Sequence, residues 1–232
     1  MNAGNLANTD EPDAPPSSAY GDAVATCLSR LRRLITNGTL SPGEQIRQAE
    51  MAERLHVSRV PLREALKVLE SDGVVVHRSK QGYFVTKLGR EEVAQLYVMR
   101  QLLESELLAT IAWPDAADIA GLREVNGRME DAISRRDVEG ITEANQAFHF
   151  GIFRLSPLRL IRREVERLWL MSDSYRALYF MDDGVKSRIV GEHEEILRSL
   201  EQRDKDALRN AFDHHRMSVP GPVSEILQKL SS

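Results

Sequence analysis

Residues 56–73, HVSRVPLREALKVLESDG, constrain the fold more than any other stretch of this chain. They read as a helix that begins sharply at Ser58, carries Arg59 and Arg63 near its start, and stops at Gly73. Ser58 is placed to cap it, its hydroxyl accepting from free backbone N–H groups of the first turn. Pro61 falls in that turn, where a missing N–H costs little. Leu62, Ala65, Leu66 and Leu69 then form one apolar stripe at helical spacing. Just before it, residues 48–55 predict a short helix with Met51, Ala52 and Leu55 inward, joined through His56-Val57. A short helix, a tight turn and a second helix with polar residues at its start make a helix-turn-helix. Two strands at 74–77 and 83–87, around a turn at 78–82, add a basic wing.

A first helix is expected over 21–36, with Val24, Cys27, Leu28, Leu31 and Ile35 on one face and Asn37-Gly38 as its stop. The segment LSPGEQI reads as a turn centred on Pro42-Gly43. Residues 1–18, rich in Asn, Asp, Ala, Pro and Ser, have little to bury and are expected to be disordered. From residue 91 the pattern turns helical, with helices expected at 92–112, 114–135, 138–155, 158–180, 185–203 and 205–218. No convincing strand or tandem repeat interrupts them, so an all-α bundle is the reading. The fold class is therefore mainly α. A winged helix-turn-helix over 19–88 precedes an all-α domain over 89–222, with 223–232 as a C-terminal tail.

Charge divides along the same boundary. The net charge of −4 comprises −3 in residues 1–21, +5 in 22–90 (12 basic, 7 acidic) and −6 in 91–232 (19 basic, 25 acidic). A basic first half joined to an acidic second half implies that only the first faces a polyanion. No apolar run approaches the roughly 18 residues needed to span a bilayer, and no signal-peptide pattern opens the chain. With a single cysteine, Cys27, no internal disulfide can form, and a cytoplasmic setting is expected, with nucleoid association when bound to DNA. Cys27 lies on an apolar stripe and reads as a buried thiol.

Arg59 and Arg63, at i and i+4, share a helix face. An arginine fork can donate to guanine O6/N7 or grip a phosphate. Arg78, Lys80 and Gln81 surround Gly82 in the wing, where the absent side chain lets the backbone approach DNA. Solvated arginines, with Arg63 paired to a helix carboxylate, are the plainer alternative. The segments GTLSPGEQI, MAERLHVSRVPLREALKVLESDGVV and QGYFV, within residues 20–88, resemble the winged-helix domain of GntR-type transcription regulators. That resemblance implies DNA contacts from Ser58, Arg59, Arg63 and Gly82. Many relatives carry arginine where this chain has Ala49, so that contact is missing here or replaced by Gln48 or Arg47.

In the second half, Asn145 and His149 are i and i+4 on one expected helix, and His193 and His215 lie on two later ones. Three imidazoles and a side-chain oxygen converging inside a bundle suit a late transition metal. Spacing alone leaves His214 as eligible as His215, and any one of these histidines could instead be an ordinary core or surface residue. Residues 93–219 resemble the FCD ligand-binding domain of FadR-like regulators, at Asn145-Gln-Ala-Phe148-His149, at Glu192-His193, and at a histidine 22 residues on, which selects His215. The resemblance implies a divalent metal on Asn145, His149, His193 and His215, zinc first and nickel or another late transition metal next. Aspartate is commoner where Asn145 stands, so the cation is held more weakly here or completed by an anionic effector. At MRQLLESELLATIA, Arg100 takes the place of an arginine that commonly meets a ligand carboxylate, with an i+4 salt bridge to Glu104 as the alternative. Tyr175, Arg176 and Arg188 are further side chains able to shape the pocket.

The expected protein is a homodimeric, ligand-responsive regulator, more readily a repressor than an activator, binding an inverted-repeat operator and sensing a small organic acid through the metal. Two readings stand beside it. One is a metal-dependent enzyme fused to a DNA-binding domain; the sequence HEEIL gives it no HExxH motif and no general base beside the ligands. The other is a constitutive DNA-binding dimer.

Overall fold

The computed structural model describes residues 17–180 and 183–217. The expected C-terminal tail 223–232, the last five residues of the expected second domain and most of the expected N-terminal tail lie outside these.

The first helix, α1 (Ser17–Thr36), starts four residues before the sequence reading placed it, so Ser17 and Ser18 are helical rather than part of a tail. No proline follows Pro16 before the apolar stripe, and an established ladder propagates backwards at little cost. Its buried face carries Cys27, Leu31 and Ile35. Burial pushes the Cys27 thiol pKa up, partly offset by Arg30, as befits a core side chain.

Next come β1 (Gln45–Ile46), α2 (Gln48–Arg54), α3 (Arg59–Ser71), β2 (Val75–Arg78) and β3 (Gly82–Val85). The stripe expected on α3 is the one that is buried: Leu62, Ala65, Leu66 and Leu69 pack against α1 and the sheet. The helix ends in a paired cap. Val74 N–H donates to Leu69 O (2.9 Å) and Gly73 N–H to Glu70 O (3.0 Å), with Gly73 at φ +77°. This is the arrangement glycine favours after a helix. At the other end the expectation fails in detail. Ser58 occupies the N-cap position, but its side chain makes no capping hydrogen bond.

The wing is one strand larger than the sequence implied. The antiparallel sheet has order β1-β3-β2, with Ile46 opposite Tyr83 and Val76 opposite Phe84. Residues 45–46, read as the end of a turn, become a strand because β3 offers them an unpaired edge.

The second domain is helical throughout its described residues: α4 (Arg90–Ala109), α5 (Ala116–Ser134), α6 (Val138–Phe153), α7 (Arg159–Tyr179), α8 (Asp183–Gln202) and α9 (Lys205–Met217). Asp115 caps α5 through the N–H groups of Ala117 and Asp118, and Asp137 caps α6 through that of Gly140. Pairs α5–α6, α4–α7 and α8–α9 pack side by side. Phe148, Phe153, Trp169 and Phe212 fill the centre. No helix among the described residues is long and apolar enough to cross a membrane.

The two domains meet along α7. Helix α1 packs on it, and Arg33 of α1 pairs with Glu139 of α6. A Cβ at Gly73 would lie 3.3 Å from Met171 Sδ. The linker is tied down by Tyr175, whose hydroxyl accepts from Leu88 N–H at 2.6 Å and lies 3.5 Å from Leu88 O.

Candidate functional site

Two sites can be built from the residues upward, one on each domain. On the first, Ser58, Arg59 and Arg63 are exposed at the N-terminal end of α3. Neither arginine has an ion-pair partner among the described residues; the neighbouring carboxylate, Glu64, is taken by Lys67 at 2.9 Å. At the wing tip, Arg78, Lys80 and Gln81 are exposed and Gly82 is half-buried. Lys80 (φ +63°) and Gly82 (φ +91°) turn the chain tightly there. Gln45 Nε2 donates to Gln81 O (2.6 Å), and the Arg78 guanidinium lies 4.3 Å from the centre of the Phe84 ring. The added strand β1 thus steadies the tip. Gln48 opens α2, half-buried beside the exposed Ala49.

In the second domain, α6 presents Asn145 and His149 one turn apart, α8 presents His193, and α9 presents His215. All four are buried, whereas His214 is exposed. The three imidazoles come together, each offering a nitrogen within 4.8 Å of the others. His149 Nε2 and His215 Nε2 are 3.1 Å apart. Two nitrogens bound to one ion at about 2.1 Å, at roughly 90–110°, would be about 3.0–3.4 Å apart.

Outer partners fix which nitrogen faces inward. His215 Nδ1 lies 2.7 Å from Glu192 Oε2, an acceptor, so Nδ1 donates there and Nε2 is the nitrogen left facing the cluster. His193 Nδ1 lies 3.1 Å from Asn126 Oδ1. The Asn126 amide is oriented by donating to Val190 O (3.4 Å) and Glu194 Oε1 (3.1 Å), so His193 Nδ1 must donate. His193 Nε2 is then a bare lone pair, fully buried and without a hydrogen-bond partner among the described residues; Asn145 Oδ1 is in the same position. Such orphans are costly unless something electrophilic meets them. Burial, and then the neighbouring His215, hold the His193 pKa well below the usual histidine value, so the ring stays neutral as a ligand requires. Phe148 stacks on it at 4.0 Å, fixing the ring plane. Three imidazole nitrogens and one amide oxygen fit a late transition metal.

A small cavity of about 30 Å³ adjoins this cluster, bordered by Tyr97, Arg100, Asn145, His149, His215 and Arg216. Arg100 faces it and is also buried in protein contacts: it donates to Glu104 (2.9 Å) and Ser172 (3.1 Å), and its guanidinium lies 4.2 Å from the Trp169 ring. The two alternatives for Arg100, pocket and salt bridge, coexist. Burial raises the Glu104 pKa, but the charges of Arg100 and Arg216 and the Trp169 N–H outweigh it and hold the carboxyl below its ordinary value. A larger cleft, about 900 Å³, opens between the domains, and two ion pairs lie in its walls, Arg32 with Asp72 and Arg167 with Glu164.

The sequence reading missed Asn126 and Glu192 as anchors of the histidines. Glu192 flanks His193 in the chain but serves His215 instead, across from α8 to α9, a pairing no local spacing reveals. Its other oxygen lies 2.8 Å from Arg188 Nε, so this carboxylate is held as an orienting group, away from general-base work. Tyr175 serves the linker, and the Arg176 side chain lies outside the described residues.

Residues 95–217 match the FCD domain family, and residues 25–85 match the gntR family of bacterial regulatory proteins. The chain is 31% identical over 186 residues to the uncharacterized HTH-type transcriptional regulator YdhC of Bacillus subtilis (strain 168), covering 78% of this chain and 82% of that protein. It is 26% identical over 202 residues to the HTH-type transcriptional repressor RspR of Escherichia coli (strain K12), covering 87% and 89%. Among solved structures, E. coli McbR/YncC superposes with a TM-score of 0.75 at 19% identity, over 90% of this chain and 99% of that one, which shows a shared fold.

Proposed function

Since this chain belongs to the gntR family of bacterial regulatory proteins, carries its FCD domain, and is thus a DNA-binding transcriptional regulator, we propose that it is a metal-dependent repressor responsive to a small organic acid. The observation that carries this reading is the pair of buried orphans, His193 Nε2 and Asn145 Oδ1, beside the closely spaced Nε2 atoms of His149 and His215. Asn145, His149, His193 and His215 would hold the ion, zinc before nickel given the N/O donor set. A bound divalent cation would supply positive charge and open positions to a carboxylate oxygen. Because Asn145 is neutral, the site keeps the cation's full charge and favours an anion more than an aspartate-bearing site would.

Arg100 supplies the second hold on such an acid, as a fork already oriented by Glu104 and Ser172. The cavity is far below the roughly 300 Å³ of ordinary ligand pockets. Entry of an acid therefore displaces neighbouring groups, and that displacement is the differential interaction a switch needs. On the DNA side, Ser58, Arg59, Arg63 and the wing residues Arg78, Lys80, Gln81 and Gly82, with Gln48 in support, would form the contact surface. Two copies would engage the half-sites of an inverted repeat, since one recognition helix spans only part of a specific site. The repressor sense rests on the printed function of RspR.

Metal analysis of the purified full chain tests the first half. About one divalent ion per protomer supports it, and metal no higher than in His193→Ala refutes it. Operator titrations with candidate acids test the second. If no acid changes the affinity of metal-loaded protein, the sensing role fails.

A further inference from the structure

We propose that Val60 is a base-reading residue of the recognition helix, its isopropyl group covering the 5-methyl group of a thymine in each operator half-site. The inference rests on the DNA-binding role of α3 and adds to it a contact that charge and hydrogen bonding do not suggest.

Val60 is 57% exposed on the second residue of α3. At about 100° per residue it points roughly 180° away from the mean direction of Leu62, Ala65, Leu66 and Leu69, the side chains that fix the helix to its domain. It therefore occupies the middle of the outward face. Arg63 lies within about 60° of it on that face, and Arg59 precedes it. A lone exposed valine on an arbitrary surface needs no explanation. This one stands at the end of the helix that enters the groove, between two arginines with no ion-pair partner among the described residues, where every other exposed side chain of the first turn is polar.

Its chemistry selects the target. Valine can neither donate nor accept, so it is blind to O6, N7, N4 and N6 of the base edges. The thymine methyl is the apolar group that the major groove displays. Branching at Cβ restricts χ1, so the two methyl groups are held in place before DNA arrives, and little entropy is lost on contact.

The test uses the full chain and its operator, obtained by selection from a randomised duplex pool. Each thymine of a half-site is replaced in turn by deoxyuridine, which removes only the methyl, and affinity is measured by fluorescence anisotropy at fixed salt. One thymine position should lose about fourfold when replaced in one half-site, the worth of a single buried methyl, and about fifteenfold when replaced in both. Val60→Ala should bind the methylated operator correspondingly more weakly and be indifferent to the replacement. Arg63→Ala should weaken both duplexes alike and keep the methyl penalty. Because Val60 is exposed, unchanged melting of Val60→Ala would confirm that folding is not the cause. Replacement of every thymine without loss, or a penalty that persists in Val60→Ala, overturns the inference while leaving DNA binding intact. A selection that enriches no sequence overturns both.

Discussion

Replacing Tyr175 by Phe removes one oxygen atom from the seam between the two domains and little else. The ring is buried, with 1% of its surface exposed, and stays packed in either form. Burial raises the phenol pKa, so the hydroxyl is protonated at neutral pH and can both accept from Leu88 N–H and donate toward Leu88 O. Without it, a half-buried backbone N–H loses its acceptor, at a cost of about 1–2 kcal/mol, the lower part of the range for an unmet buried donor. That is roughly a 5- to 30-fold loss of preference for the arrangement in which the linker is docked. The site is well placed to matter: Tyr175 lies one turn beyond Ser172, which accepts from Arg100, so pocket and linker report to neighbouring turns of α7. Hydrogen exchange reads the effect directly. The Leu88 amide should exchange roughly 5- to 30-fold faster in Tyr175→Phe, while metal content stays unchanged. The dependence of operator affinity on acid should shrink with it. Equal Leu88 exchange in the two proteins would falsify the claim that this hydroxyl holds the linker.

Three further outcomes are expected. Glu192→Gln leaves His215 a weaker orienting partner and should lower metal affinity by about 10- to 100-fold, with stoichiometry recovered at high metal, as measured by chelator competition. In chelator-stripped protein, His193 stays neutral when folded and takes a proton near pH 6.5 when unfolded, so stability is full above that pH. It should fall by up to about 1.4 kcal/mol per pH unit as pH drops below 6.5 toward the depressed folded value, and chemical denaturation of His193→Phe should show a shallower slope. Arg59→Ala or Lys80→Ala should reduce the slope of log affinity against log salt by about two, roughly one for each half-site, if the side chain meets a phosphate. An unchanged slope with altered sequence preference would assign it to a base instead.

What the sequence disclosed was whatever depends on one element at a time. The stripe of Leu62, Ala65, Leu66 and Leu69 follows from helical period, and the six helices of the second domain were placed within a few residues for the same reason. The preference for His215 over His214 comes from the family spacing, which one element alone does not supply; in the structure His215 is buried and His214 exposed. Features requiring two distant segments stayed hidden. Strand β1 has only two residues and no pattern of its own; it exists because residues 83–84 present an edge. Asn126 looked like an ordinary polar residue until α5 met α8, and Glu192 was judged by its own helix when its partner lay on another. Ser58 shows the opposite failure: position alone suggested a cap, and the hydroxyl makes none.

The seam along α7 bears on how such regulators can be recombined. Gly73, which ends the recognition helix, abuts Met171, and a side chain at 73 would need both a left-handed backbone and space that Met171 fills. Arg33 with Glu139, and Leu88 with Tyr175, stitch the same boundary. A chimera that grafts a foreign sensor onto this DNA-binding half at the linker would sever all three. Grafts that import Glu139, Met171 and Tyr175 together with the sensor should remain responsive, whereas those joined at the linker alone should bind DNA without answering to any signal.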